Sequence, residues 1–149
     1  MVDLMGDKAW KALYTFTFIR NPYDRIFSLF HYLRKVDRLP VDWDFAKFVK
    51  ELGDADRHNK ILQYYGLRCS MFDMLADADG RLLVKDIFRF EDRSNALRVL
   101  EDRLGIDFCG THIQSAASGK NYRSAYNEET KKIVKQKYAR DLQIFNYEF

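Results

Sequence analysis

The chain has 149 residues, of which 47% are hydrophobic and 32% charged, with 7 Gly and 2 Pro. That length predicts one domain with its own core, and the composition excludes a disordered, linker-like or fibrous chain. No apolar run approaches the ~20 residues that span a bilayer, and the first residues lack the basic-then-apolar order of a signal peptide. A cytoplasmic chain without a transmembrane segment is expected. The net charge of +3 is not spread evenly: residues 110–149 hold seven Lys/Arg against four Asp/Glu, so the rest of the chain balances. A basic final stretch suits an anion, but the excess is too small to imply nucleic acid. Cys69 and Cys109 form no CxxC or zinc spacing and are expected to be reduced, small core residues. His31, His58 and His112 share no ligand spacing, so no metal is expected.

Residues 12–19, ALYTFTFI, are short, β-branched and aromatic, and read as a buried strand. Arg20-Asn21-Pro22 ends it. Asn is a favoured N-cap, Pro suits the first helical position, and Asp24 complements the helix dipole, which predicts a helix from Pro22 to about Val36. At about 100° per residue, Tyr23, Ile26, Leu29, Phe30 and Leu33 make a core stripe. Asn21, Asp24, Ser28, His31 and Lys35 cluster opposite it. A second helix is predicted over Phe45 to Leu52, capped by Asp44 and ended by Gly53. Another is expected around Asn59 to Tyr65. DADG at 77–80 is a turn signal, and Arg81 to Phe90 reads as a strand. A helix from about Ser94 to Leu104 follows, with Leu97, Leu100 and Leu104 facing inward and Gly105 past its end. Residues 107–125 read as an irregular loop, and Asn127 caps a last helix running to about Tyr138. Strand–helix alternation predicts an α/β fold, with helices packed on a short, mostly parallel sheet.

The strongest chemical signal is the strand–RNP–helix junction. A helix N-terminus with its positive dipole end is an anion site, and the arginine just before it adds a planar fork that matches phosphate oxygens. Ser28 lies two turns above the cap and can add a hydroxyl. The same residues also fit plain capping by Asn-Pro with Arg20 in a surface ion pair. His31 shares the Ser28 face and is otherwise an exposed histidine. Glu91 fits acid/base work, or equally the capping of a turn or a pairing with Arg89 or Arg93. Lys131, Lys132, Lys135 and Lys137 fit a solvated helix face, or a surface for a polyanion.

FTFIRNPYDRIFSLFHYL, residues 16–33, resembles the nucleotide 3′-phosphate-binding segment of sulfotransferases of the carbohydrate and Golgi-type group and their bacterial relatives, whose pattern is roughly F-x-F-x-R-N-P-Y-D-R-x-x-S. Phe88-Arg89-Phe90-Glu91 followed by Leu104-Gly105-Ile106 is similar to that family's R-F-E and L-G-I segments. Tyr126, Val134, Tyr138, Asp141, Phe145, Tyr147 and Phe149 match its C-terminal pattern, although Asn146 stands where the family often has Gly. The resemblance implies a partial P-loop-NTPase-like sulfotransferase fold. It implies transfer of a sulfuryl group from 3′-phosphoadenosine-5′-phosphosulfate to a hydroxyl or amine, with a carbohydrate as acceptor and adenosine 3′,5′-bisphosphate as product. Arg20 and Ser28 carry over as ligands of the 3′-phosphate. Lys120 and Arg123, in SGKNYR at 118–123, stand where family members supply further basic contacts.

The family's P-loop-like P-K-T/S-G-T segment and its base precede the RNP element. The 19 residues before Arg20 hold neither, and Gly119-Lys120 is followed by Asn121 rather than the Ser/Thr of a Walker A loop. The expectation is therefore a single sulfotransferase-like domain over residues 1–149, truncated at its N-terminus relative to the family. Such a chain is expected to be inactive alone and able to self-associate through an exposed sheet edge. Two other readings stand beside it. One is a degenerate, non-catalytic module that binds a nucleotide or a partner. The other is a basic surface for polyanions.

Overall fold

A computed structural model describes residues 6–53, 67, 69–108 and 121–149. In chain order the elements are α1 (Asp7–Ala12), β1 (Phe16–Ile19), α2 (Pro22–Lys35), α3 (Phe45–Gly53), α4 (Met71–Leu75), β2 (Asp86–Arg89), α5 (Arg93–Leu104), α6 (Glu128–Lys137) and α7 (Ala139–Ile144). Short 3₁₀ turns occupy Phe90–Asp92 and Tyr122–Ala125. The helix expected around 59–65, and Lys120, Cys109, His58 and His112, lie outside the described residues. The chain divides into two compact units, residues 1–19 with 75–108, and residues 20–74 with 109–149.

The first unit is built on β1 and β2, which pair in parallel with Phe16 opposite Asp86 and Ile19 opposite Arg89. Helices with a small parallel sheet make the chain α/β. The strands are shorter than the sequence predicts. Ala12 ends α1 instead of opening a strand, and Phe16 is 38% exposed, so the expectation of a buried strand over 12–19 is corrected. Side chains alternate along a strand, so Phe16 and Phe18 share a face and meet Phe88 across the pair. Their ring centroids lie 5.7 Å (Phe18–Phe88) and 6.3 Å (Phe16–Phe88) apart. The rings shield one another and leave Phe16, at the strand's start, in contact with solvent.

Residues 81–85 do not extend β2. They fold back locally, with an antiparallel bridge between Ala76 and Leu82 and a Leu83 N–H to Leu75 carbonyl bond of 2.8 Å. Asp77 makes the expected turn, its carboxylate accepting from the N–H groups of Asp79 and Arg81. At the other end Phe90 starts a 3₁₀ turn, so the strand predicted over 81–90 covers only 86–89. In α5 the inward positions are Ala96 and Leu100, whereas Leu104 is 37% exposed, against expectation. Leu104 is the last helical residue, and Gly105 after it, at φ 64° as the residue after a helix commonly is, ends α5 with its N–H bonded to the Glu101 carbonyl at 2.9 Å.

The second unit holds the larger core. α2 runs as predicted, with Pro22 at its start and the Asn21 carboxamide oxygen accepting from the Tyr23 N–H at 3.0 Å. Tyr23, Ile26, Phe30 and Leu33 are buried as the stripe requires, and Phe27 joins them, while Leu29 is only partly covered. Asn21, placed by periodicity on the polar side, is buried, because its Nδ2 donates to the Glu148 carbonyl at 2.7 Å and to the Tyr122 hydroxyl at 3.4 Å. In α3, Asp44 caps by accepting from the Lys47 N–H, and Phe45, Phe48, Val49 and Leu52 face the core. α6 opens with a reciprocal capping box between Asn127 and Thr130. Edge-to-face rings knit these helices together: Phe45 meets Tyr126 at 4.9 Å and Phe30 at 5.5 Å.

Cys69 is exposed, not the core residue its composition class suggests. Its neighbours Leu67 and Ser70 take the inward positions of the turn before α4 and leave the thiol outside. Among the described residues no helix is long and apolar enough to cross a membrane.

Candidate anion-binding site

The start of α2 carries the residues singled out by the sequence. Arg20, the residue before the cap, donates from Nε to the Asp24 carboxylate at 2.7 Å, with both side chains less than one-fifth exposed. The ion pair considered above as the plain reading of Arg20 is therefore present. It is also an orienting contact, since a planar guanidinium held at one edge has little freedom left. Asp24 thus serves the helix dipole and fixes the arginine that precedes the cap. Ser28 lies two turns along α2, half-buried, and its hydroxyl makes no hydrogen bond among the described residues.

The segment carrying Arg123 is fastened to this same helix start. Tyr122 receives the Asn21 carboxamide, and the Tyr126 hydroxyl donates to the Tyr23 carbonyl at 2.8 Å. Between them, the Arg123 guanidinium lies 5.0 Å from the Tyr122 ring centroid and 6.0 Å from that of Phe149. Stacking on aromatic faces holds an exposed cation in place without neutralising it. Arg20 is thus held by Asp24 in the first turn of α2, and Arg123 lies on Tyr122, which the Asn21 cap contacts. The contribution of Lys120 falls outside the described residues.

Burial pushes the Tyr23 and Tyr126 phenols up from their ordinary value, so both stay protonated at this corner. His31 is half-buried, not exposed, with its ring edge-on to Phe27 at 4.5 Å and Phe30 at 5.4 Å. Lys131 pairs with Glu128 at 2.8 Å, whereas Lys132 and Lys135 are exposed. In the other unit Glu91 is exposed on its 3₁₀ turn. No group of His, Cys, Asp and Glu among the described residues could hold a metal ion.

Sequence reasoning missed Arg25. Its guanidinium lies 4.9 Å from the Tyr138 ring centroid, and its Nε and Nη2 are buried without a hydrogen-bond partner among the described residues. Buried polar groups are almost always satisfied, so these two nitrogens of a half-buried arginine stand out. The guanidinium also adds positive potential, in a low-dielectric setting, one turn above the Asn21 cap. Its presence as the second arginine of RNPYDR was the available signal, but periodicity gives no reason to bury it. Arg25→Met keeps the stem and removes the charge, and is expected to be neutral to about 2 kcal/mol stabilising. Urea unfolding measures this. A loss of more than ~1 kcal/mol would mean that the guanidinium is stabilising.

Comparisons with family models, with curated proteins and with solved structures find no match for this chain.

Proposed function

We propose that this chain binds the 3′-phosphate of 3′-phosphoadenosine-5′-phosphosulfate at the start of α2, as part of a sulfotransferase that moves the sulfuryl group to a hydroxyl or amine of a carbohydrate. The observation that carries the reading is the RNPYDR segment at a capped helix start, with Arg20 oriented by Asp24 and Arg123 fastened alongside. In this reading Arg20 supplies the planar fork and Ser28 a hydroxyl to phosphate oxygens, with Lys120 and Arg123 adding charge. Contacts to a remote phosphate act alike on ground and transition states, so they give affinity and positioning. Rate would come from donors at the bridging oxygen of the breaking bond.

Calorimetric titration with adenosine 3′,5′-bisphosphate tests the reading, with adenosine 5′-monophosphate as the analogue lacking the 3′-phosphate. Arg20→Ala is expected to weaken binding by about 1.5–3 kcal/mol, roughly 10- to 150-fold. Arg20→Lys restores only part of this, because an ammonium cannot form the fork. Equal affinity for wild type and Arg20→Ala would remove the assignment. Transfer of labelled sulfate to sugar acceptors then separates catalysis from nucleotide binding alone.

A further inference from the structure

The unit that holds α2 contains a cavity of about 620 Å³ that the nucleotide reading does not use. Its volume lies within the ~300–1,000 Å³ of small-molecule sites. One wall comes from α6, where Lys132 and Lys135 stand one turn apart on the same face. Neither makes an ion pair among the described residues. Lys131 beside them is already engaged, bonded to Glu128 at 2.8 Å with its ammonium 4.4 Å from the Phe149 ring centroid. The floor is apolar and firm: Leu142 is half-buried and Tyr147 is 8% exposed.

Tyr23 offers a hydroxyl to the same cavity. It lines the cavity and is 3% exposed, yet its hydroxyl makes no hydrogen bond among the described residues. That oxygen is not among the fully buried unpartnered polar atoms, so it reaches the cavity surface and can donate there. Glu148 adds the remaining acid to the lining, so three lysines stand against two glutamates. That balance suits a single negative charge better than a polyanion.

We propose that this cavity binds a small aromatic monoanion, an aryl carboxylate or aryl sulfonate. Its ring lies against Leu142 and Tyr147, its anionic group is held by Lys132 and Lys135, and the Tyr23 hydroxyl donates to it. The site is independent of the 3′-phosphate assignment.

The test is titration of the full chain with 2-naphthoate, followed by calorimetry and by amide shifts in NMR. Binding is expected with a Kd of roughly 1 mM or tighter, as the size of the probe allows. 2-Naphthylmethanol, which keeps the ring and lacks the charge, should bind more weakly. Inorganic phosphate should leave the amides of Leu142 and Tyr147 unmoved. The exposed pair Lys132→Gln/Lys135→Gln should fold as wild type and lose naphthoate affinity roughly tenfold. Tyr23→Phe should cost about 2- to 10-fold. Unchanged affinity in the lysine double variant, equal binding of the neutral analogue, or no shifts at ~10 mM naphthoate would each overturn the proposal.

Discussion

Asp141→Ala is expected to destabilise the unit that holds α7 by about 3–5 kcal/mol, since two charge-assisted hydrogen bonds go at once. Asp141 is fully buried. One carboxylate oxygen accepts from the Met71 N–H and the other from the Phe72 N–H, each at 2.8 Å. These are first-turn donors of α4, which have no partner within their own helix. Met71 and Phe72 are themselves buried, so water cannot replace the lost oxygens without opening the core. Asp141→Asn keeps one acceptor but presents an amide donor to the other N–H, and should fall between wild type and Ala. Urea unfolding with a constant m-value measures both. A cost under ~1 kcal/mol for Asp141→Ala would mean that α4 finds its N-terminal partners elsewhere.

That contact also explains which parts of the fold could be read in advance. α2, α3 and α6 were legible because each carries its own instructions. Asn21, Asp44 and Asn127 cap them from within a few residues, and an apolar stripe repeats at helical spacing. α4 and α7 are short, and although Ser70 caps α4 locally by accepting from the Asp73 N–H at 3.0 Å, the N–H groups of Met71 and Phe72 find their acceptor some 70 positions away. No local pattern records such a partner. The ends of β1 and β2 were misplaced for a related reason. Tyr14, Thr15 and residues 81–85 have strand-like composition, but turn chemistry at Asp77 and Gly80 folds 81–85 back on Ala76.

The candidate site shows the same division. Arg20, its partner Asp24 and the Asn21 cap lie within five residues, so their arrangement follows from helix geometry. Arg123 could be named from its charge but not from its surroundings, because Tyr122 and Phe149 meet it only after the C-terminal segment has packed. Arg25 could be found only as the second arginine of RNPYDR, not from periodicity. It is half-buried, and nothing in its local spacing shows that its Nε and Nη2 turn in against the Tyr138 ring.

Alkaline unfolding should set in between pH 10 and 12, well short of general base damage, because two phenols must stay protonated for the core to close. The Tyr126 hydroxyl donates to the Tyr23 carbonyl at 2.8 Å, and the Tyr138 hydroxyl to the Leu67 carbonyl at 2.9 Å. Burial pushes the Tyr138 phenol from 10.0 up to about 12, with the Arg25 guanidinium pulling in the opposite direction. Burial holds Tyr126 higher still, reinforced by the neighbouring Tyr23. Below pH 10 both groups are protonated whether the chain is folded or not, and their contribution is fully present. Above pH 10 the unfolded chain releases these protons and the folded chain does not, so stability falls by up to ~1.4 kcal/mol per pH unit for each phenol. By pH 12 the two together remove roughly 5 kcal/mol, comparable to the whole stability of many domains. Tyr138→Phe should lose about 1 kcal/mol at pH 8.5, for its hydrogen bond, yet narrow or reverse the gap to wild type at pH 11.5. Denaturant titrations at the two pH values, with phenolate absorbance followed in parallel, measure the slope and the groups responsible. Equal wild-type stability at pH 8.5 and 11.5 would show that the buried hydroxyls ionise in place, with water reaching them through a core looser than its edge-to-face rings imply.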